Sequence, residues 1–146
     1  FHARRDAKYR IYQYRIYNHK IPNVFLRNTT YFCPFPLNLT RMRKAATRFV
    51  GIHDFSAFNA SPKLVRHSVR EIYKLHIRRE KELIIITIQA NAFVHNMVRI
   101  IVGTLLDIGR GKIEPNKVSR IILNKQRKYA GMTVPPQGLY LIEVKY

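Results

Sequence analysis

Apolar and polar positions change period several times along this chain, and each change marks an element. From Arg10 to Tyr17 they alternate: Tyr12, Tyr14 and Ile16 share one face of an extended segment, and Ile11, Gln13, Arg15 and Tyr17 share the other. A period of two belongs to a strand, and tyrosine suits a half-buried pleated surface. Asn18 to Pro36 contains Pro22, Pro34 and Pro36 with no sustained period, which predicts a long loop. The spacing then turns helical. Leu39, Met42, Ala45, Ala46 and Phe49 form one stripe, Asn38 or Thr40 can cap it, and Gly51 stops it. The opposite face carries Arg41, Arg43, Lys44 and Arg48.

His53 to Pro62 reads as a loop and Arg66 to Ile77 as a strand. Arg79 to Glu82 turns the chain into the β-branched run Leu83 to Gln89, completing a hairpin. Phe93, Met97, Ile100, Ile101, Thr104, Leu105 and Ile108 predict the main buried helix over Phe93–Ile108, ended by Gly109-Arg110-Gly111. A short helix opens at Pro115, with Val118, Ile121, Ile122 and Leu123 as its buried side. Pro135 to Gly138 is a turn, and Leu139 to Tyr146 the last strand. Strand, helix, two strands, two helices, strand is neither strict alternation nor an all-β meander. The expectation is a single α+β domain over 1–146, with a mainly antiparallel sheet and helices packed on one face.

Charge narrows the partner. Lys and Arg number 27 against 8 Asp and Glu, a net +19. Such a domain repels itself, and a polyanion relieves the repulsion. Nucleic acid fits, because each phosphate contact releases counterions; a generally basic proteome with no particular partner is the blander explanation. No apolar run approaches the roughly 18 residues of a spanning helix. The best stretch, Met97 to Ile108, is broken by Arg99, Gly103 and Asp107. Phe1 to Arg10 is too charged for a signal peptide's apolar region. The single cysteine, Cys33, cannot form an internal disulfide and suits a reducing compartment. No zinc-like spacing, phosphate-binding loop or dinucleotide fingerprint occurs.

Four elements, in order, carry a family resemblance. They are Phe1-His2-Ala3-Arg4 with Tyr12-Gln13-Tyr14-Arg15-Ile16-Tyr17-Asn18; Met42, Ala45, Ala46 with Gly51-Ile52-His53-Asp54-Phe55-Ser56-Ala57-Phe58; Ala90-Asn91-Ala92-Phe93-Val94-His95-Asn96-Met97-Val98-Arg99; and Ala130-Gly131-Met132-Thr133-Val134-Pro135-Pro136-Gln137-Gly138-Leu139-Tyr140-Leu141. Together they resemble the C-terminal half of the TruA-type tRNA pseudouridine synthases. The resemblance covers essentially the whole chain. It implies isomerisation of uridine to pseudouridine in the anticodon stem-loop of tRNA, without cofactor or metal, by a cytoplasmic homodimer; an organelle matrix is the alternative location.

The resemblance also implies roles. Tyr12 matches the family's active-site tyrosine, which stacks on the detached uracil and is a candidate base for the C5 proton. Core packing is the commoner fate of a strand tyrosine, and Tyr14, on the same face, is the local competitor. Arg99 matches the active-site arginine that pairs with the catalytic aspartate. The alternative is that Arg99 reaches solvent or pairs with Asp107 or Glu143. Arg4, Arg41, Arg43, Lys44 and Arg48 are candidate RNA-backbone contacts, and His95 is the one histidine to watch near Arg99. Asp54 is expected to be structural, and Asp6 and Asp107 are poor candidates for the catalytic acid.

No string resembling the family's aspartate motif occurs here, and the chain starts at Phe1 rather than Met. The expectation is that this motif lies in an N-terminal half on the same or a separate chain, so that residues 1–146 alone are inactive. A retired enzyme kept as an RNA-binding or ribonucleoprotein component is the competing expectation.

Overall fold

A computed structural model describes residues 7–146. In chain order its elements are β1 (Tyr9–Asn18), β2 (Tyr31–Cys33), α1 (Leu39–Phe49), β3 (Gly51–Asp54), β4 (Val69–Glu80), β5 (Leu83–Ala90), α2 (Met97–Gly109), α3 (Lys117–Asn124) and β6 (Leu139–Lys145), with short 3-10 turns between them. β1 organises the sheet. Antiparallel β5 runs along one side of it, while its other side holds antiparallel β6 against Tyr9–Tyr14 and then parallel β2 against Ile16–Asn18. The β4–β5 hairpin and the edge strand β3 extend the sheet beyond β5. The class is α+β with a mostly antiparallel sheet, as expected.

The alternating face of β1 looks into the core. Tyr14 and Ile16 sit opposite Ile86 and Ile84 and are fully buried in the common apolar core. Burying one such side chain contributes about 2 kcal/mol, whereas an exposed ion pair such as Arg78–Glu80 contributes about 0–1 kcal/mol. The apolar layer therefore holds the fold. α1 begins where the Asn38 side chain accepts the Arg41 amide at 3.1 Å. The Asn38 amide in turn donates to the Gly109 carbonyl at 2.9 Å, which ties the start of α1 to the end of α2.

Several expectations are corrected. The long loop predicted over Asn18 to Pro36 contains β2, a three-residue strand too short to show a period. The loop predicted from His53 contains the end of β3, which leaves Gly51 at φ 112° and pairs with β4. The hairpin strand predicted over Arg66 to Ile77 lies three residues later, at Val69–Glu80, and the turn narrows to Lys81 and Glu82. The main helix starts at Met97, not Phe93, because Asn96 adopts the left-handed conformation at φ 59°. α3 starts at Lys117 rather than Pro115, and Leu123 is 77% exposed rather than buried. Among the described residues, no helix is long and apolar enough to cross a membrane.

Candidate active site

Tyr12 and Arg99, far apart in sequence, line one cleft of about 230 Å³ with Phe93, Asn96, Pro136 and Leu139. Tyr12 reaches it because β1 carries the residue on the helix-bearing face, between Ile88 of β5 and Leu141 of β6, next to a bulge in the β1–β6 pairing. Its ring stands edge-on to Phe93, with centroids 4.9 Å apart and planes at 85°. That contact fixes the ring from one side and leaves the residue half-buried.

Arg99 lies in the first turn of α2. Its Nε donates to the Val134 carbonyl at 2.8 Å and its Nη1 to Asn96 Oδ1 at 3.1 Å, while its own carbonyl accepts the Val134 amide at 3.3 Å. Asn96 thus uses its side chain to hold the arginine rather than to cap the helix. Neither Asp107 nor Glu143 pairs with Arg99, and among the described residues no carboxylate lies within ion-pair distance of it or lines the cleft. A guanidinium held this way, with Nη2 left over, is shaped to receive a carboxylate.

Val134 can reach Arg99 only because the 127–134 segment crosses α2 backbone to backbone. A Cβ at Gly103 would lie 1.8 Å from the Met132 carbonyl oxygen, and one at Gly131 would lie 2.6 Å from the Gly103 carbonyl carbon. Only glycine permits that approach. Thr104 Oγ1 accepts the Gly131 amide at 2.9 Å and donates to the Ile100 carbonyl at 2.8 Å, and Arg127 clasps the Gly131 carbonyl at 2.7 Å. The strap continues to Pro135, whose carbonyl accepts the hydroxyl of Tyr14. Tyr14 is 0% exposed, and burial raises its pKa. It is therefore not brought to the cleft or to RNA; it anchors the strap from below.

The other candidates are dispersed. His95 is exposed and precedes α2 instead of lying on it; its Nδ1 is 2.8 Å from Ser61 Oγ, and it lines the neighbouring pocket, not the cleft. Arg41 bonds the Ile108 and Ile113 carbonyls and Glu114, and Arg43 Nε donates to the Ile77 carbonyl. Lys44 and Arg48 line an open depression of about 560 Å³ with Asn116, away from the cleft. Asp54 accepts hydrogen bonds from the Ser56 amide and hydroxyl and pairs with Lys125 at 3.7 Å, and it does not line the cleft. Arg4, His2 and Asp6 lie outside the described residues.

The family model described as tRNA pseudouridine synthase matches residues 45–146. This chain belongs to the tRNA pseudouridine synthase family. It is 47% identical over its whole length to the tRNA pseudouridine synthase A of Thermoanaerobacter sp. strain X514, covering 60% of that protein. Identity is 45% to the synthase A of Acetivibrio thermocellus, of which it also covers 60%. It is 41% to synthase A 1 of Bacillus cereus, of which it covers 59%. The chain thus spans about 60% of the length of these relatives. Within this cleft, the sequence pattern gave no sign of Asn96 or Val134 as holders of Arg99. The adjacent Ala130-Gly131 and the helical Gly103 were the only legible signals of a close crossing.

Proposed function

We propose that the full-length protein isomerises uridine to pseudouridine in the anticodon stem-loop of tRNA, with Tyr12 and Arg99 acting on the flipped nucleotide. The observation that carries this reading is their convergence on one cleft. The reaction breaks the bond from ribose C1′ to N1, turns the base, joins C1′ to C5, removes the C5 proton and leaves a proton on N1. A flat, half-exposed ring beside the base suits the turning step, and the Tyr12 hydroxyl is the candidate acceptor of the C5 proton. Arg99 keeps an incoming aspartate ionised, as an opposite charge does at short range. That aspartate comes from an N-terminal half, on the same or a separate chain, and the working form is a cytoplasmic homodimer. Lys44, Arg48 and the exposed Arg43 supply non-specific backbone attraction.

The test compares the full-length protein with residues 1–146 on unmodified tRNA. The expected result is pseudouridine from the full-length protein only, with salt-sensitive tRNA binding by both. Turnover by residues 1–146 alone would show that no outside carboxylate is needed. Binding without turnover by the full-length protein would favour the pseudoenzyme.

A further inference from the structure

A second pocket, of about 590 Å³, adjoins the cleft and shares Phe93 and Val94 with it. Arg10, Arg70, Ser61, Leu64 and His95 are among its other walls. Its two sides are tied together: the Ala60 amide donates to the His95 carbonyl at 3.0 Å, and Ser61 Oγ meets His95 Nδ1 at 2.8 Å. Leu64, 79% exposed, forms an apolar lip.

Arg70 is the unusual member. Its Nη1 donates to the carbonyls of His67 at 3.0 Å and Val69 at 2.7 Å, which fixes the plane of the guanidinium. Its Nε is buried without a partner. No carboxylate pairs with it among the described residues, and Nη2 has no protein partner there. Burial lowers its pKa, but a guanidinium stays charged at any ordinary pH. One other arginine, Arg15, also has an orphaned Nε, and there the cation lies 4.2 Å above the Tyr140 ring, which compensates it. Among the described residues, no ring lies over Arg70 in this way. A partly desolvated, immobilised cation without a counter-charge is unfavourable unless an anion arrives.

We infer that this pocket is a phosphodiester subsite, in which Arg70, with Arg10 beside it, holds the RNA backbone next to the nucleotide in the Tyr12–Arg99 cleft. Phe93 is the partition: one side meets the Tyr12 ring over the base, and the other lines the path of the backbone. The subsite rests on the proposed function for the identity of its RNA. It goes beyond that reading by assigning Arg70 and Arg10, which lie on neither the catalytic cleft nor the α1 arginine face.

The experiment uses the full-length protein and a synthetic anticodon stem-loop carrying the target uridine. Arg70→Gln should raise KM roughly ten- to a hundredfold with kcat nearly unchanged, the size expected for one charged hydrogen-bonded contact. It should also lower the slope of log affinity against log salt by about one contact's worth, ~0.7–1. Arg70→Lys should keep most of the slope. A neutral methylphosphonate next to the target should weaken wild-type binding similarly and add little to Arg70→Gln, a readout that does not depend on how the variant folds. Tyr12→Phe should lose turnover and keep the slope. An unchanged slope in Arg70→Gln, or wild-type indifference to both neighbouring methylphosphonates, would overturn the subsite even if turnover is normal. Absence of wild-type turnover would instead remove the proposed function, while the slope and the methylphosphonates would still report on the phosphate contact.

Discussion

Arg41 on α1 and Arg99 on α2 both aim a guanidinium at backbone carbonyls, and their surroundings separate them. Arg41 commits all three nitrogens: Nε to the Ile108 carbonyl, Nη2 to the Ile113 carbonyl and Nη1 to Glu114 at 3.5 Å. It closes the C-terminal end of α2, where free carbonyls and the helix dipole favour a cation. Arg99, which lines the cleft, commits Nε and Nη1, and among the described residues its Nη2 has no partner. The two regions show that a helix arginine can be spent on the protein's own backbone, so charge alone does not single out a contact for RNA. What marks a candidate site is an arginine that the protein orients but leaves incompletely satisfied, and Arg70 fits that description as well.

Chemistry provides the strongest challenge to this contrast. Tyr12→Phe should reduce kcat in the full-length protein by about 10²–10⁴, the range for a proton-transfer group, with little change in thermal stability because the ring still packs on Phe93. Arg99→Lys should lose a similar factor, since an ammonium cannot make both Nε-type and Nη-type bonds. Single-turnover kinetics decide; a loss below tenfold for Tyr12→Phe would make Tyr12 a packing residue and leave the cleft without a base.

Next in size is the strap. Gly103→Ala puts a methyl group into the Met132 carbonyl, so it should destabilise by about 2–4 kcal/mol despite a helix propensity gain of about 1 kcal/mol. It should also lower activity by freeing Arg99 from Val134. Denaturant unfolding measures the first effect; a stabilised Gly103→Ala would mean that the crossing is looser than the 1.8 Å approach requires.

Arg41→Met should cost about 1–2 kcal/mol of stability and change tRNA affinity less than about twofold, far under one phosphate contact. A drop in salt slope like that expected for Arg70→Gln would erase the distinction between the two regions.

The smallest effect concerns acid. Burial raises the Asp54 pKa, but hydrogen bonds from Ser56 and the charge of Lys125 outweigh it and hold the carboxyl below its ordinary 3.8. A depressed folded pKa contributes stability above the unfolded value, and that contribution disappears as pH falls through the folded value. Asp54→Asn should therefore be less stable than the parent at neutral pH, with the difference closing as pH falls below the ordinary 3.8 and through the lowered folded value. Thermal unfolding against pH checks this, and an equal difference at all pH values would exclude the ionised carboxylate as the cause.

Strongly periodic elements were legible because local pattern and burial agree in them. α1 has its stripe and its Asn38 cap, the β4–β5 hairpin has its β-branched run, and β1 has its alternation. The net charge of +19 was likewise a property of the chain alone. The sequence by itself therefore determined the α+β class, most of the core and the basic character, and its motifs resembled the family that the comparisons established. Tertiary structure decided which positions those motifs bring together. β2 and β3 are too short to carry a period and exist because β1 and β4 offer them partners. Helix α2 starts late because Asn96 turns left-handed and gives its side chain to Arg99. Tyr12 and Tyr14 alternate identically in sequence, yet one opens on the cleft and the other is sealed under Pro135. Neighbours along a strand share a period, but their exposure depends on what the rest of the chain lays over them, and no local pattern encodes that.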